Sequence, residues 1–296
     1  MDSQNRFGID HPLVAVKDMQ TASEQFAKLG FYINPRHHHP WGTDNHLLMF
    51  PSNFVEVISV YDGTKLDQKN DNGFAFGRFV ATALEKREGI ALVALNSKDA
   101  RTDYQRLVTR GVENDGIVDF KRVAHKPDGS EEEAVVSLVM LVDSVYPSLS
   151  NFLCHQHKPH LVWVKEWMTH PNHAVAITKV SYVVHDLVPV IARYSAIYGE
   201  SAISQFDDYF VVTTASGVFE FLLPAATQLR FDDSNMTYQD AELPIGVAIT
   251  IATDDLSQAE AILQQNSVTY SKFNGGGLRV PASFVGNTIF EFVAAS

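Results

Sequence analysis

The sequence predicts an α+β protein in which four copies of one structural unit pair into two halves, each with a curved mixed sheet. The unit consists of an apolar strand-like run, an acidic residue, about a dozen helical residues and then further strands. The four copies begin with residues 9–18, 90–99, 177–186 and 245–254. Three copies end in an apolar strand around one carboxylate, which is Glu56, Glu220 or Glu291. Because one unit cannot bury the apolar face of its sheet alone, we expect the units to pair.

The first unit shows the pattern most clearly. A strand signal at residues 12–16 is followed by Asp18, which opens a helix. The apolar positions of this helix follow a three-to-four spacing: Met19, Ala22, Phe26 and Leu29. Gly30 then ends the helix, and two strand signals follow at residues 46–50 and 53–60.

The later units repeat this order. The second unit has a strand at residues 90–95, a helix at 100–109 and strands at 135–142 and 152–156. Helices near residues 187–198 and 256–265 mark the third and fourth units.

The repeat also predicts the domain organisation. A first half with two units covers residues 1–160, and a second half with two units covers residues 174–296. Residues 161–173, which are rich in His, Trp and Pro and lack clean periodicity, form the predicted linker.

Composition limits the partners. The chain has 296 residues, of which 45% are hydrophobic, and a formal net charge of −12. That charge argues against nucleic acid or a membrane as partner, because both would require a basic face. With a single cysteine, no apolar signal-peptide core and no membrane-spanning run, we expect a cytoplasmic protein. The expected partner is a small molecule inside the curve of the paired sheet. The sequence leaves a homodimer open.

Two residues suggest a metal site. His11 falls at the start of the first strand and Glu56 lies within the last strand of the same unit, both among apolar neighbours. These two strands can lie side by side, which would bring an imidazole and a carboxylate into one cavity. Such ligands suit divalent zinc, iron, manganese or nickel. The alternative is that His11 is a strand-edge histidine bonded to a backbone carbonyl.

A cavity rim is expected in the loop that follows the first helix. Its candidate substrate-binding residues are His39, Trp41, Asn45 and His46. Nearby Arg36 could hold a substrate carboxylate or phosphate through two parallel hydrogen bonds.

The chain resembles the vicinal oxygen chelate superfamily and, within it, the glyoxalase-like domain proteins. The motifs that carry this resemblance are residues 9–18, residues 39–45 leading to Glu56, and residues 152–159 followed by Trp163 and Trp167. The resemblance covers nearly the whole chain. It implies four βαβββ modules paired into two halves, the glyoxalase/bleomycin-resistance/dioxygenase-like fold. It does not imply one reaction, since the superfamily includes isomerases, dioxygenases, lyases and metal-free sequestering proteins.

The resemblance also implies a ligand set. In this superfamily a metal cup takes ligands from the first and last strands of two paired modules. Module one supplies His11 and Glu56. Module two departs from the pattern, with Leu92 where a second histidine would be expected and Cys154 opposite the carboxylate.

The resemblance implies that a third ligand would come from the end of module two. Strand alternation puts Cys154 and Gln156 on one face and His155 on the other. His157 lies immediately beyond the strand and is free to turn inward, so we take it as the third ligand, with His155 as the alternative.

The second half lacks this ligand set. Lys179 stands where the resemblance implies a histidine, while Glu220 and Glu291 remain. An ammonium supplies the charge that a cation would supply, so this group is interpreted as a buried ion-pair cluster.

Two main functional hypotheses follow. The first is a divalent-metal-dependent enzyme of the lyase, isomerase or dioxygenase class, with Glu56 as catalytic residue and a small substrate that bears adjacent oxygens. The second is a binding or sequestering protein of the same fold that uses no metal. A structural protein without chemistry is a third possibility.

Overall fold

The computed structural model describes residues 7–70, 73–125, 129–231, 236, 238 and 242–295. Within them, four βαβββ modules follow one another along the chain. Module one contains β1 (Ile9–Ala15), α1 (Met19–Lys28), β2 (His37–His38), β3 (Thr43–Met49) and β4 (Phe54–Val60). After the connecting helix α2 (Phe76–Lys86), module two contains β5 (Gly89–Asn96), α3 (Ala100–Thr109), β6 (Ile117–His125), β7 (Glu131–Leu141) and β8 (Asn151–Gln156).

The second half has the same order. Module three contains β9 (Ala174–Val183), α4 (Leu187–Tyr198), β10 (Ile203–Gln205), β11 (Tyr209–Thr213) and β12 (Val218–Leu222). A second connecting helix, α5 (Pro224–Phe231), leads to module four with β13 (Ile245–Thr253), α6 (Leu256–Gln265), β14 (Ser271–Phe273), β15 (Gly277–Val280) and β16 (Ile289–Ala294). The repeat predicts the four modules but not α2 and α5, which lie between them.

The acidic residue of the repeat is a helix cap. The carboxylates of Asp18, Asp99 and Asp186 accept hydrogen bonds from backbone N–H groups in the first turns of α1, α3 and α4. These bonds satisfy donors that a helix start leaves unpaired. In module four the cap is Asp255, one residue later than the repeat suggests, while Asp254 bonds to Nδ1 of His173.

Strand pairing builds the two halves. In every module the first strand pairs in parallel with the last: β1 with β4, β5 with β8, β9 with β12 and β13 with β16. Modules one and two join through antiparallel β1 and β5, and modules three and four through antiparallel β9 and β13. The halves meet where Ile90 of β5 pairs with Gly246 of β13.

Alternation along the strands separates the core from a concave face. On β4, Val55 and Val57 are buried in the main core that includes α1, whereas Glu56 points to the opposite face. We call the concave face formed by modules one and two the first cup. None of the described helices is both long and apolar enough to cross a membrane.

Candidate functional site

The first cup contains a cavity of about 60 Å³ between the strands of modules one and two. The polar side chains that line it are His11, His39, Asn45, Glu56, Arg122, Cys154 and Gln156. The aromatic lining consists of Trp41, Phe54, Phe76, Phe120 and Phe152. Ionisable groups are therefore concentrated against an otherwise apolar wall.

His11 and Glu56 meet in this cavity, as the sequence predicts. Nε2 of His11 lies 3.3 Å from Oε2 of Glu56, and both side chains are almost completely buried. On the other side of the ring, Nδ1 of His11 lies 2.5 Å from Oδ1 of the fully buried Asp10. The His11 ring also stacks on Phe54 at a centroid distance of 4.1 Å. The imidazole is thus held between two carboxylates and one aromatic face.

This arrangement favours a charged pair. Burial alone would lower the pKa of His11, but its hydrogen bonds to Asp10 and Glu56 outweigh burial and raise the pKa to about 9. For Glu56, burial would raise the pKa, but the bond to His11 and the charges nearby lower it overall. Near neutral pH His11 therefore carries a proton and Glu56 is ionised.

The loop residues complete the polar wall. Nδ2 of Asn45 donates to Oε1 of Glu56 at 2.7 Å. Nε2 of His39 lies 3.9 Å from the same oxygen, and its Nδ1 is hydrogen-bonded to the Thr43 hydroxyl at 2.8 Å. Burial lowers the pKa of His39, so this imidazole is neutral near pH 7. Trp41 stacks against His39 at 5.1 Å and closes this side of the cavity.

His46 was expected at the cavity rim, but strand alternation places it on the opposite face of β3. Asn45 and Leu47 of β3 face the cavity, whereas His46 lies between them and faces away. Its Nδ1 is hydrogen-bonded to the carbonyl oxygen of Asn34 at 2.7 Å, and burial lowers its pKa. His46 is therefore not part of the cavity lining.

Arg36 is also outside the cavity. Its Nε donates to Oδ2 of Asp44 at 2.5 Å, and a second guanidinium nitrogen forms a salt bridge with the same oxygen. Asp44 is fully buried on the face of β3 that points away from the cup. The guanidinium thus already has a carboxylate partner within the protein and does not line the cavity where a substrate anchor was expected.

The expected third ligand does not reach the cup. Nε2 of His157 is hydrogen-bonded to the hydroxyl of Ser137 at 2.8 Å, and its ring packs on His155 at a centroid distance of 4.0 Å. Ser137 is on the face of β7 opposite Leu138, which lines the cavity. His157 has therefore continued the alternation of β8 instead of turning inward, and neither histidine lies beside His11 and Glu56.

Module two contributes side chains to the cavity wall but does not complete a set of metal ligands. Among the residues that the structure describes, no three His, Cys, Asp or Glu side chains are grouped so that they could hold a metal ion. Leu92 is fully buried in the core, and burial raises the pKa of the Cys154 thiol well above its usual value, so the thiolate is disfavoured. The side chains around His11 and Glu56 thus do not fit a complete metal site.

Two polar residues of the site are absent from the set that the sequence predicts: Arg122, which lines the cavity, and Asp10, which does not line it but contacts Nδ1 of His11. Asp10 precedes His11 in the sequence, and strand alternation would place the two side chains on opposite faces of the sheet. The sequence pattern therefore does not predict their contact. Arg122 lies on β6, where Val118, Phe120 and Ala124 mark an apolar face. The period-two pattern puts Arg122 on that same face, and this signal could have identified it.

In the second half, the carboxylates on the last strands of modules three and four form ion pairs. Nζ of Lys179 lies 2.8 Å from Oε1 of Glu220, whose other oxygen accepts from the Ser181 hydroxyl at 2.8 Å. The predicted pairing of Lys179 with Glu220 is therefore present in the structure.

Glu291 forms a second ionic group in this half. Its fully buried carboxylate accepts two hydrogen bonds from Arg230, at 2.8 and 2.6 Å, and one from Nε of Arg279 at 3.0 Å. The Thr250 hydroxyl donates a further bond at 2.9 Å. Burial would raise the pKa of Glu291, but the two guanidinium groups lower it.

Comparison with known proteins agrees with this architecture. The sequence model of a family described as "Glyoxalase-like domain" matches residues 9–198, which span modules one and two and the beginning of module three. No protein among those with curated functions matches the chain.

Solved structures share the fold at low identity. A hypothetical protein from Staphylococcus aureus superposes with a TM-score of 0.70 at 12% identity, covering 98% of this chain and 100% of that chain. A mutant of 4-hydroxymandelate synthase from Streptomyces coelicolor superposes with a TM-score of 0.62 at 13% identity, covering 98% of this chain and 94% of that chain. A fusion protein of a xylose isomerase-like TIM barrel and 4-hydroxyphenylpyruvate dioxygenase gives 0.53 at 13% identity, covering 96% of this chain and 48% of that chain. At these identities the likeness shows the fold alone.

Proposed function

Because this chain belongs to the family of glyoxalase-like domain proteins, we propose that it binds one small polar molecule in the first cup. The observation that carries this proposal is the 60 Å³ cavity in which His11, His39 and Glu56 meet an aromatic wall. An apolar hollow with a few convergent polar groups is the usual form of a small-molecule site. The volume suits a ligand of only a few heavy atoms, in keeping with a compound that bears two adjacent oxygens.

The first candidate function is binding of the small molecule without a metal ion. Asp10 and Glu56 already have a cation between them, because His11 is held as an imidazolium by both. A divalent ion would have to displace that proton and would find no complete ligand set among the described side chains. Neutral His39 and the side chain of Asn45 remain as hydrogen-bonding groups for a ligand.

Ligand-observed NMR tests the site with named probes. Glycolaldehyde, ethylene glycol and glycolate each present adjacent oxygens on a small frame. We expect at least one of them to bind the parent protein and to lose binding in Leu138→Phe, which adds volume to the cavity wall. Val123→Phe is the matched control, because Val123 is half exposed on the outer face of β6. Equal binding by both variants would move the ligand site out of the first cup.

A divalent-metal-dependent enzyme of the lyase, isomerase or dioxygenase class is the second candidate, with Glu56 as catalytic residue. It is favoured by the 3.3 Å approach of His11 Nε2 to Glu56 Oε2, since the bond from Nδ1 to Asp10 is the kind of support that metal-bound histidines receive. Two of the structural neighbours are named as a synthase and a dioxygenase. A metal held by these two side chains would need its remaining ligands from the substrate or from solvent. Metal analysis of the purified protein distinguishes the two candidates.

A further inference from the structure

Arg122 is a cationic side chain in the wall of the first cup. It lies on β6 opposite Ala134 of β7, and it lines the cavity together with Phe120, two residues earlier. The neighbouring Lys121 points to the outer face, where it pairs with Glu133. Module two therefore contributes one fixed positive charge to a cavity whose other charged groups come from module one.

The guanidinium of Arg122 differs from those of Arg36, Arg230 and Arg279 because the described residues offer it no partner. Within the part of the chain that the structure describes, no side chain or backbone group forms a hydrogen bond or salt bridge with it. By contrast, Arg36 is bonded to Asp44, and Arg230 and Arg279 are bonded to Glu291. An arginine carries five donors in a planar fork, so an unpaired one inside a cavity leaves strong donors free for a ligand.

The carboxylate of Glu56, whose charge acts on Arg122, does not satisfy these donors. Oε2 of Glu56 faces the His11 imidazole, and Oε1 accepts from Asn45. Burial lowers the pKa of Arg122, and the charge of Glu56 opposes that effect without direct contact. A partly desolvated and unpaired charge is unfavourable, and an oxyanion bound beside it would offset that cost.

We propose that the first cup is specific for a small organic anion, and that Arg122 binds the anionic oxygens of this ligand. This inference rests on the proposed function and adds the chemical class of the ligand. Carboxylates and phosphates present the paired oxygens that match the guanidinium fork. The rest of the ligand would lie against Trp41 and Phe152, with its remaining oxygens directed to His39 and Asn45. Arg122 thereby takes the role that the sequence suggested for Arg36.

Paired probes test the charge requirement directly. Glycolate and glycolamide have nearly the same shape but differ in charge, and inorganic phosphate distinguishes phosphate from carboxylate recognition. We expect calorimetry and ligand-observed NMR to detect glycolate or phosphate binding to the full chain, with glycolamide roughly tenfold weaker or worse. The stronger of the two anions identifies the source of the anionic group.

Substitutions then locate the charge. Arg122→Gln should weaken anion binding roughly tenfold or more, and Arg122→Lys should fall between that variant and the parent because it keeps the charge but loses the fork. Lys121→Gln is the control, since it removes the same charge from the adjacent, outward-facing position. Circular dichroism and thermal melting of each variant confirm that it is folded.

The outcomes separate this inference from the proposed function. Anion affinity that is unchanged in Arg122→Gln, or lost equally in Lys121→Gln, overturns the role of Arg122. If Arg122→Gln does not fold, Arg122→Lys replaces it as the test. The role of Arg122 is then overturned if Arg122→Lys keeps the parent's preference for glycolate over glycolamide and glycolate binds outside the cup. Binding of glycolamide or ethylene glycol in the cup as tightly as glycolate overturns the anion class but leaves the proposed function standing. Absence of binding by every charged probe overturns the inference.

Discussion

The imidazole Nε2 of His11 lies 3.3 Å from the carboxylate Oε2 of Glu56, across the parallel pair of strands β1 and β4. This contact joins the first and last strands of module one inside the cavity. Because Asp10 holds the other ring nitrogen, the three side chains form one buried chain of alternating charge. Stability and ligand binding in the first half should therefore depend on the same few atoms.

The stability of the protein should fall as the pH rises from about 6.5 to about 9. The folded protein raises the pKa of His11 from 6.5 to about 9, so the folded state holds a proton that the unfolded chain releases in this range. The His11 contribution is complete below pH 6.5 and is lost as the pH passes through the folded pKa. Urea unfolding at several pH values measures the trend, and His11→Ala should flatten it. A parent protein whose free energy of unfolding is constant across this range would contradict the charged pair.

Removal of the His11 side chain should destabilise the fold. His11→Ala leaves the carboxylates of Asp10 and Glu56 buried without their shared cation, which costs about 3–5 kcal/mol for a broken buried pair. His38→Ala is the matched control, because His38 is half exposed on the short strand β2 and should change the free energy of unfolding by less than about 1 kcal/mol. Similar losses in both variants would show that the buried chain contributes little.

Metal content separates the two candidate functions. Protein purified without an affinity tag or added metal should contain less than about one-tenth of an equivalent of zinc, iron, manganese or nickel. Treatment with a chelator should leave the melting temperature unchanged, since binding of a metal to the folded state would stabilise it by mass action. Near-stoichiometric metal that is lost in Glu56→Gln would instead support the metal-dependent enzyme.

The two ionic groups of the second half should differ in strength. Glu291→Gln leaves the guanidinium groups of Arg230 and Arg279 without their carboxylate, and we expect a loss of about 3–5 kcal/mol. Lys179→Met should cost less, because Lys179 is about a quarter exposed and Glu220 keeps its bond to Ser181. Denaturant unfolding of both variants measures the difference. Equal losses would mean that burial does not decide the strength of these pairs.

Acid should destabilise the protein in part by protonating the carboxylate of Glu291. The folded protein lowers the pKa of Glu291 below its usual value of 4.5. Its contribution to stability is therefore present above pH 4.5 and decreases as the pH falls through the folded value. In Glu291→Gln, the loss of stability as the pH falls below 4.5 should be smaller than in the parent. An unchanged acid profile would assign the loss to other carboxylates.

The module architecture and the side-chain contacts within one module can be predicted from the amino-acid sequence. Four strand-helix copies, each with a capping Asp or its neighbour, predict units of a strand, a helix and further strands, because periodicity and caps are local properties. The exact βαβββ order is what the family resemblance implies. The approach of His11 to Glu56 and of Lys179 to Glu220 also followed, since the first and last strands of one unit pair in parallel. Both contacts depend on short-range topology that the repeat makes visible.

The side chains that module two contributes to the first cup depend on contacts that form only in the folded chain. The sequence could not show whether His157 would turn inward, and backbone hydrogen bonding that continues past the end of β8 keeps it beside Ser137 on the outer face. The sequence also could not show that Arg36 would pair with buried Asp44 outside the cavity, because that contact depends on how β2 and β3 pack in the folded chain. Contacts between modules are set by the antiparallel register of β1 and β5, a long-range pairing that no local pattern encodes.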